Sequence, residues 1–266
     1  MEKIDRKLNL DTLKDEIITW IKNYCKNNKI QSLIIGVSGG IDSALVSTLC
    51  AKTDIDTYAI LLPLHQKEEQ TIRGEKHVDW LITNHSNVKK VKIDLSNVFD
   101  TFKTSIPDDS HNELSFANSK SRLRMTTLYQ IAQSKNGIVV GTGNKVEDFG
   151  VGFFTKYGDG GVDISPIADL YKSEVYEISR LFGVIDEILN ARPTDGLWDD
   201  DRDDETQIGA TYDELEWVME YIQNNPHYTP SDLDMLTDKQ LNVLRIYMNL
   251  NNKNKHKMVE TPIFKV

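Results

Sequence analysis

Gly36-Val37-Ser38-Gly39-Gly40-Ile41-Asp42-Ser43 is the stretch on which the reading of this fold turns. Ahead of it stands the apolar run Ser32-Leu33-Ile34-Ile35, which reads as a buried parallel strand. Behind it Ala44-Leu45-Val46-Ser47-Thr48-Leu49-Cys50-Ala51 reads as a helix. A strand that passes through glycines into a helix aims backbone N–H groups at an anion, and the positive end of the helix dipole adds to the attraction. Gly39 and Gly40 let the backbone come close to phosphate, while Ser38 and Ser43 supply hydroxyl donors. Asp42, at the helix start, would by itself repel phosphate. A carboxylate there makes best sense with a divalent cation between it and the phosphates.

Outward from this loop the chain alternates strands and helices. Residues 10–28 place Leu10, Leu13, Ile17, Trp20, Ile21 and Tyr24 at helical spacing. Residues 57–62 (TYAILL), 89–93 and 137–141 (GIVVG) read as further strands. Residues 67–84 read as a charged surface helix, 95–102 as a short helix, 107–113 as a loop and 116–134 as a long amphipathic helix. Residues 150–163 are glycine-rich and irregular; 171–182, 212–222 and 237–250 read as helices, and 193–204 as an acidic loop containing Asp199, Asp200, Asp201, Asp203 and Asp204. The alternation predicts an α/β fold, a doubly wound parallel sheet with flanking helices, in a single domain spanning 1–266. In such sheets ligands lie at the carboxyl ends of the strands, so the loop after the first strand and Thr142-Gly143-Asn144 after the fourth should face one crevice.

The chain has 266 residues, 39% hydrophobic and 27% charged, with a net charge of −10. That size allows one well-buried core, and the acidic balance argues against nucleic acid, whose phosphates need clustered Lys and Arg. No apolar run reaches the roughly 18 residues a membrane span requires, and no signal-peptide core follows Met1. Cys25 and Cys50 lie in expected helices without metal-ligand spacing, which suits buried free thiols and a cytoplasmic location.

The loop lacks the Gly-x-x-x-x-Gly-Lys-Ser/Thr pattern of the Walker motif. A bare Ser-Gly-Gly could be an N-cap turn, but here six matching positions stand between strand and helix. They resemble the SGGxDS loop of the N-type ATP pyrophosphatases, which cleave ATP between the α- and β-phosphates. Other segments are odd on their own. Glu147 in Gly-Thr-Gly-Asn-Lys-Val-Glu-Asp (141–148) stands just past a strand end. Phe-Phe-Thr-Lys-Tyr-Gly-Asp-Gly-Gly (153–161) is rich in aromatic residues for a surface loop. Read in order with Ser-Arg-Leu-Arg-Met (121–125), GFFTKYGDGGVDISPIADLYK (152–172), Pro193-Thr194, Asp204-Glu205-Thr206 with Gly209, Thr211-Tyr212-Asp213-Glu214 and His256-Lys257, these segments resemble the ammonia-dependent NAD synthetases over nearly the whole chain.

The resemblance implies an adenine nucleotide α-hydrolase-like fold and ATP-dependent amidation of deamido-NAD by ammonia, through an acyl-adenylate. It implies that Gly36, Val37, Ser38, Gly39, Gly40, Ile41, Asp42, Ser43, Thr142, Lys172 and Thr194 contact ATP. Asp42 and Glu147 would hold Mg2+, and these two with Lys172 would stabilise the departing pyrophosphate. Arg122, Lys156, Asp159, Asp163, His256 and Lys257 would contact deamido-NAD. It also implies a homodimer, with His256 and Lys257 as candidates for donation across the interface. Gln207 stands where many relatives have a second Glu, and residues 194–204 are idiosyncratic. The rival readings are another N-type pyrophosphatase that adenylates a different oxygen, and an adenine-nucleotide sensor without turnover. Retention of both Asp42 and Glu147 argues against the sensor.

Overall fold

The computed structural model describes residues 6–194, 196 and 203–266. Met1 to Asp5 and the acidic residues Asp199, Asp200 and Asp201, with most of the 194–204 loop, lie outside the described residues. The chain runs α1 (Leu10–Asn28), β1 (Ser32–Gly36), α2 (Ile41–Ala51), β2 (Asp56–Leu61), α3 (Glu68–Asn84), β3 (Val88–Lys92), α4 (Ser96–Ser105), α5 (Glu113–Ser134) and β4 (Gly137–Val139). A π-helical segment, Lys145–Val151, follows. Then come α6 (Lys172–Leu181), α7 (Asp186–Leu189), α8 (Asp204–Ile208), α9 (Tyr212–Asn224), α10 (Pro230–Leu233) and α11 (Asp238–Met258).

The strands form a parallel sheet in the order β3-β2-β1-β4. After β1 the chain winds outward through β2 and β3, then returns to add β4 on the other side of β1. The direction of winding therefore reverses between β1 and β4, and the loops leaving those strands diverge there to open a crevice.

Helix α2 explains the depth of the glycine loop. All its residues from Ser43 to Ala51 are buried, because α1 and α6 pack on it from outside while β1 and β2 lie beneath. On the opposite face of the sheet α4 and α5 cover Ile34, Ile60, Leu62 and Val139. A separate apolar cluster joins the π-helical segment to α9 and α11 through Val146, Val151, Tyr212, Leu215, Val218, Leu244 and Tyr247. Each large side chain so buried stabilises by about 1.5–3 kcal/mol.

Helix α3 departs from its sequence reading as a surface element. Most of its charged residues face solvent, Arg73 excepted, but Gly74, His77, Val78 and Leu81 are buried, and Gly74 packs on the glycine loop. Helix α11 continues to Met258, well past 250, because Lys255, His256 and Lys257 in its last turn favour the negative end of the helix dipole.

Candidate active site

The crevice is a cavity of about 670 Å³. Every residue from Gly36 to Ser43 except Gly39 lines it, as do Thr142, Glu147, Lys172 and Thr194. In the glycine loop the serines satisfy backbone donors locally. Ser38 N donates to Ser43 Oγ at 3.2 Å, and Gly40 N to Ser38 Oγ at 3.2 Å. Gly40, the N-cap of α2, offers no side-chain cap, an arrangement that leaves first-turn N–H groups without a capping oxygen and suited to an anion.

At the mouth of this loop Lys172 Nζ donates to Asp42 Oδ2 and to Glu147 Oε1, each at 2.7 Å. The three side chains come from α2, the π-helical segment and α6. Lys172 opens α6, where the helix dipole disfavours a cation, so the two carboxylates are what hold it there. Asn144 fixes both acids: its Nδ2 donates to Asp42 Oδ1 at 3.1 Å, and its Oδ1 accepts from Val146 N and Glu147 N. Tyr212, from α9, donates its hydroxyl to Glu147 Oε1 at 2.6 Å, and its ring centroid lies 4.8 Å from Lys172 Nζ.

Burial works against the Lys172 charge, but Asp42 and Glu147 outweigh it and keep the ammonium protonated well above its usual range. Burial also opposes ionisation of Glu147; Lys172, Tyr212 and Asn144 overcome that and hold it below the ordinary carboxylate range. Asp42 goes the other way, pushed up by burial and by Glu147 against the pull of Lys172. Two acids converging on one ammonium form a donor set that also suits Mg2+, which takes one or two carboxylates and completes its shell with phosphate and water. Among the described residues no group of three or more His, Cys, Asp or Glu side chains forms a metal cluster.

The residues expected at the acid substrate divide. Asp159 and Lys257 line the cavity. Asp159 Oδ1 accepts from Ser121 Oγ at 2.7 Å and from Thr155 N at 3.0 Å. Lys257 Nζ donates to the carbonyls of Gly152 and Phe154 of its own chain. Arg122 and Lys156 lie outside the lining: Arg122 Nη2 meets Lys156 O at 3.4 Å, and Lys156 Nζ meets His256 O at 3.2 Å. The His256 ring is exposed, with Nδ1 near Lys253 O. Asp163 accepts from Val139 N at 2.7 Å and from Tyr129 Oη at 3.1 Å, so it fastens β4 to α5.

Sequence reasoning missed Asn144, Asp148 and Tyr212 as site residues. Asn144 and Asp148 sit inside the quoted 141–148 motif and Tyr212 inside Thr211-Tyr212-Asp213-Glu214, so the motifs were visible while the individual roles were not. Asp148 lines the cavity with its carboxyl pushed well above the usual range by burial and then by Asp159, Glu147 and Asp42.

A parallel sheet with a glycine loop at its switch point, flanked by helices on both faces, is the adenine nucleotide α-hydrolase-like fold. The family model for NAD synthase matches residues 13–261, and the chain belongs to that family. It is 38% identical to the NH(3)-dependent NAD(+) synthetase of Mesoplasma florum, over 76% of this chain and 81% of the relative. Among solved structures it is similar to the NMN synthetase from Francisella tularensis, with 30% identity, a TM-score of 0.81, and coverage of 97% of this chain and 100% of the other. The NH3-dependent NAD synthetase from Campylobacter jejuni shares the fold at 24% identity, with a TM-score of 0.78 and coverage of 97% and 100%.

Proposed function

We propose that this chain amidates deamido-NAD to NAD with ammonia and ATP, releasing AMP and pyrophosphate. The observation that carries the reading is the Asp42–Lys172–Glu147 trio at the mouth of a glycine loop that lines the same cavity as Asp159 and Lys257. Nicotinate carboxylate is a poor acyl donor, because oxide is a poor leaving group. One carboxylate oxygen therefore bonds to the α-phosphorus of ATP, the bond from that phosphorus to the bridging oxygen breaks, and pyrophosphate leaves. Ammonia then bonds to the acyl carbon and loses a proton, while the C–O bond breaks and AMP departs with the former carboxylate oxygen.

The protein's part is orientation and charge. The loop N–H groups and hydroxyls of Ser38 and Ser43 receive phosphate oxygens, and the Lys172 ammonium neutralises charge growing on the leaving group. Asp42 and Glu147 would hold Mg2+, which when bound would offset pyrophosphate charge. Thr142 and Thr194 contact the nucleotide in this reading; Arg122, Lys156, Asp163, His256 and Lys257 belong to the acid substrate, with Asp159 near its nicotinate end. Cys50 is fully buried, with its thiol pushed far above its ordinary range by burial, and Cys25 is also buried. Neither suits the nucleophile that glutamine hydrolysis needs, which supports free ammonia as donor.

We also propose that the chain acts as one unit, in the cytoplasm, as a homodimer. Among the described residues no helix is long and apolar enough to cross a membrane.

A second reading rests on the likeness to the Francisella tularensis NMN synthetase: the acid amidated is the mononucleotide, which carries the same nicotinate group without the adenylate half. Supplying each acid with ATP, magnesium and ammonium, and comparing kcat/KM for pyrophosphate release, tests both. Preference for deamido-NAD supports the first reading, preference for the mononucleotide the second, and release with neither overturns both.

A further inference from the structure

The glycine loop is held from a side that its motif does not reveal. Gly39 has φ +86°, and a Cβ built on it would fall 2.7 Å from Gln70 O and 3.0 Å from Gly74 N. From the other side, a Cβ on Gly74 would lie 3.1 Å from Leu61 Cδ2 and 3.4 Å from Gly39 N. Backbone thus meets backbone, and α3 forms a wall against the loop. At this contact Arg73 Nε donates to Gly39 O at 2.7 Å. The half-buried Arg73 side chain also lines the cavity, as do Ser38, Gly40 and Gln70.

Charge balance gives this arginine a task. With both acids ionised, Asp42, Glu147 and Lys172 sum to −1, and the phosphate tail of ATP adds further negative charge. Lys172 is committed to its two acids, and Lys257 to the carbonyls of Gly152 and Phe154. Arg73 forms no ion pair among the described residues; Glu69, one turn earlier on α3, attracts it without pairing. A guanidinium carries five N–H donors in a planar fork suited to phosphate. One of them holds the Gly39 carbonyl, which leaves the Nη donors for a ligand.

We propose that Arg73 both positions the glycine loop and binds the pyrophosphate that leaves ATP. Its Nε bond turns the Gly39 carbonyl aside, so that the loop N–H groups remain turned to phosphate, and its Nη edge takes a phosphate oxygen. The assignment rests on the ATP-cleaving reading above.

The test is titration of magnesium pyrophosphate into wild type, R73M, R73K and K76M by calorimetry, with ATP and acid-substrate kinetics alongside. Lys76, exposed on the same helix and paired with Glu187, controls for general loss of charge. R73M should weaken pyrophosphate binding and raise the ATP KM about 10- to 100-fold, the scale of a charge-assisted hydrogen bond, while KM for the nicotinate acid stays near wild type. R73K keeps the charge without the fork and should recover part of the pyrophosphate affinity; K76M should match wild type. Wild-type pyrophosphate affinity in both R73M and R73K overturns the assignment of Arg73 alone. So does an equal loss for pyrophosphate, ATP and the acid, the pattern of a destabilised fold. Wild type that neither binds pyrophosphate nor turns over ATP overturns the ATP reading as well.

Discussion

Replacing Lys172 by Met removes one charge from a site built around it and keeps an unbranched stem of similar length. The Lys172 side chain is only 4% exposed, and those of Asp42 and Glu147 are 16% and 15% exposed. Removing one partner of a buried ion pair costs about 3–5 kcal/mol, against a typical total stability of about 5–15 kcal/mol. The two acids left facing each other have an escape, because one can take a proton. Asp42 is the one that does so, since burial and Glu147 already push it upward. A carboxyl whose pKa is raised in the folded state binds protons more tightly there than in the unfolded chain. Its stability is therefore greatest below the unfolded pKa of about 4 and is lost as pH rises through the raised value, each tenfold difference in proton affinity being worth about 1.4 kcal/mol. K172M should be close to wild type in urea unfolding at pH 5 and several kcal/mol weaker at pH 8, and it should release little pyrophosphate at either pH. Equal unfolding midpoints for K172M and wild type at both pH values would refute the buried-trio argument.

Three further outcomes follow from particular contacts. Y212F deletes the 2.6 Å hydrogen bond to Glu147 and should cost about 1.5–3 kcal/mol in urea unfolding, the worth of a hydrogen bond to a charged group whose oxygen keeps its bond from Lys172, and lower kcat more than it changes KM for the acid. G39A must place a Cβ 2.7 Å from Gln70 O at φ +86°, so ATP affinity measured by calorimetry should collapse; G74A, with its nearest neighbour the movable Leu61 side chain at 3.1 Å, should lose less. Burial holds His77 at about 4 against 6.5 in a free imidazole, so its share of stability is complete above pH 6.5 and lost as pH falls through 4. That share is roughly 3 kcal/mol, and H77Q should flatten the fall in unfolding free energy between pH 6.5 and 4.

Much of this architecture was legible because the local signals are strong. Strand, glycine turn and apolar helix around Gly36 to Ser43 identify the switch-point loop, and the alternation of elements predicts the parallel sheet. The apolar positions of residues 10–28 mark α1 with its observed bounds. The charge of α3 hid its function, since what matters there is the absence of a side chain at Gly74 and one arginine bond to a carbonyl, neither of which has a periodicity. Lys172 was recognisable only through family resemblance, because a lysine at a helix start reads as a surface residue until its two acids arrive from elements 25 and 130 residues away. Asn144 and Tyr212 were hidden for the same reason: each acts through a contact whose partner the sequence does not bring near. Asp163 was singled out only through family resemblance, and its observed partners, Val139 N and Tyr129 Oη, belong to the scaffold.

In the proposed reaction the nicotinate carboxylate attacks the α-phosphate, and ammonia displaces AMP from the resulting adenylate. Supplying deamido-NAD labelled with oxygen-18 in the nicotinate carboxylate, together with ATP, magnesium and ammonium, and examining the AMP by mass spectrometry tests it directly. One labelled oxygen per AMP, with the pyrophosphate unlabelled, is the predicted result. AMP free of label, or label recovered in pyrophosphate or inorganic phosphate, would contradict the account.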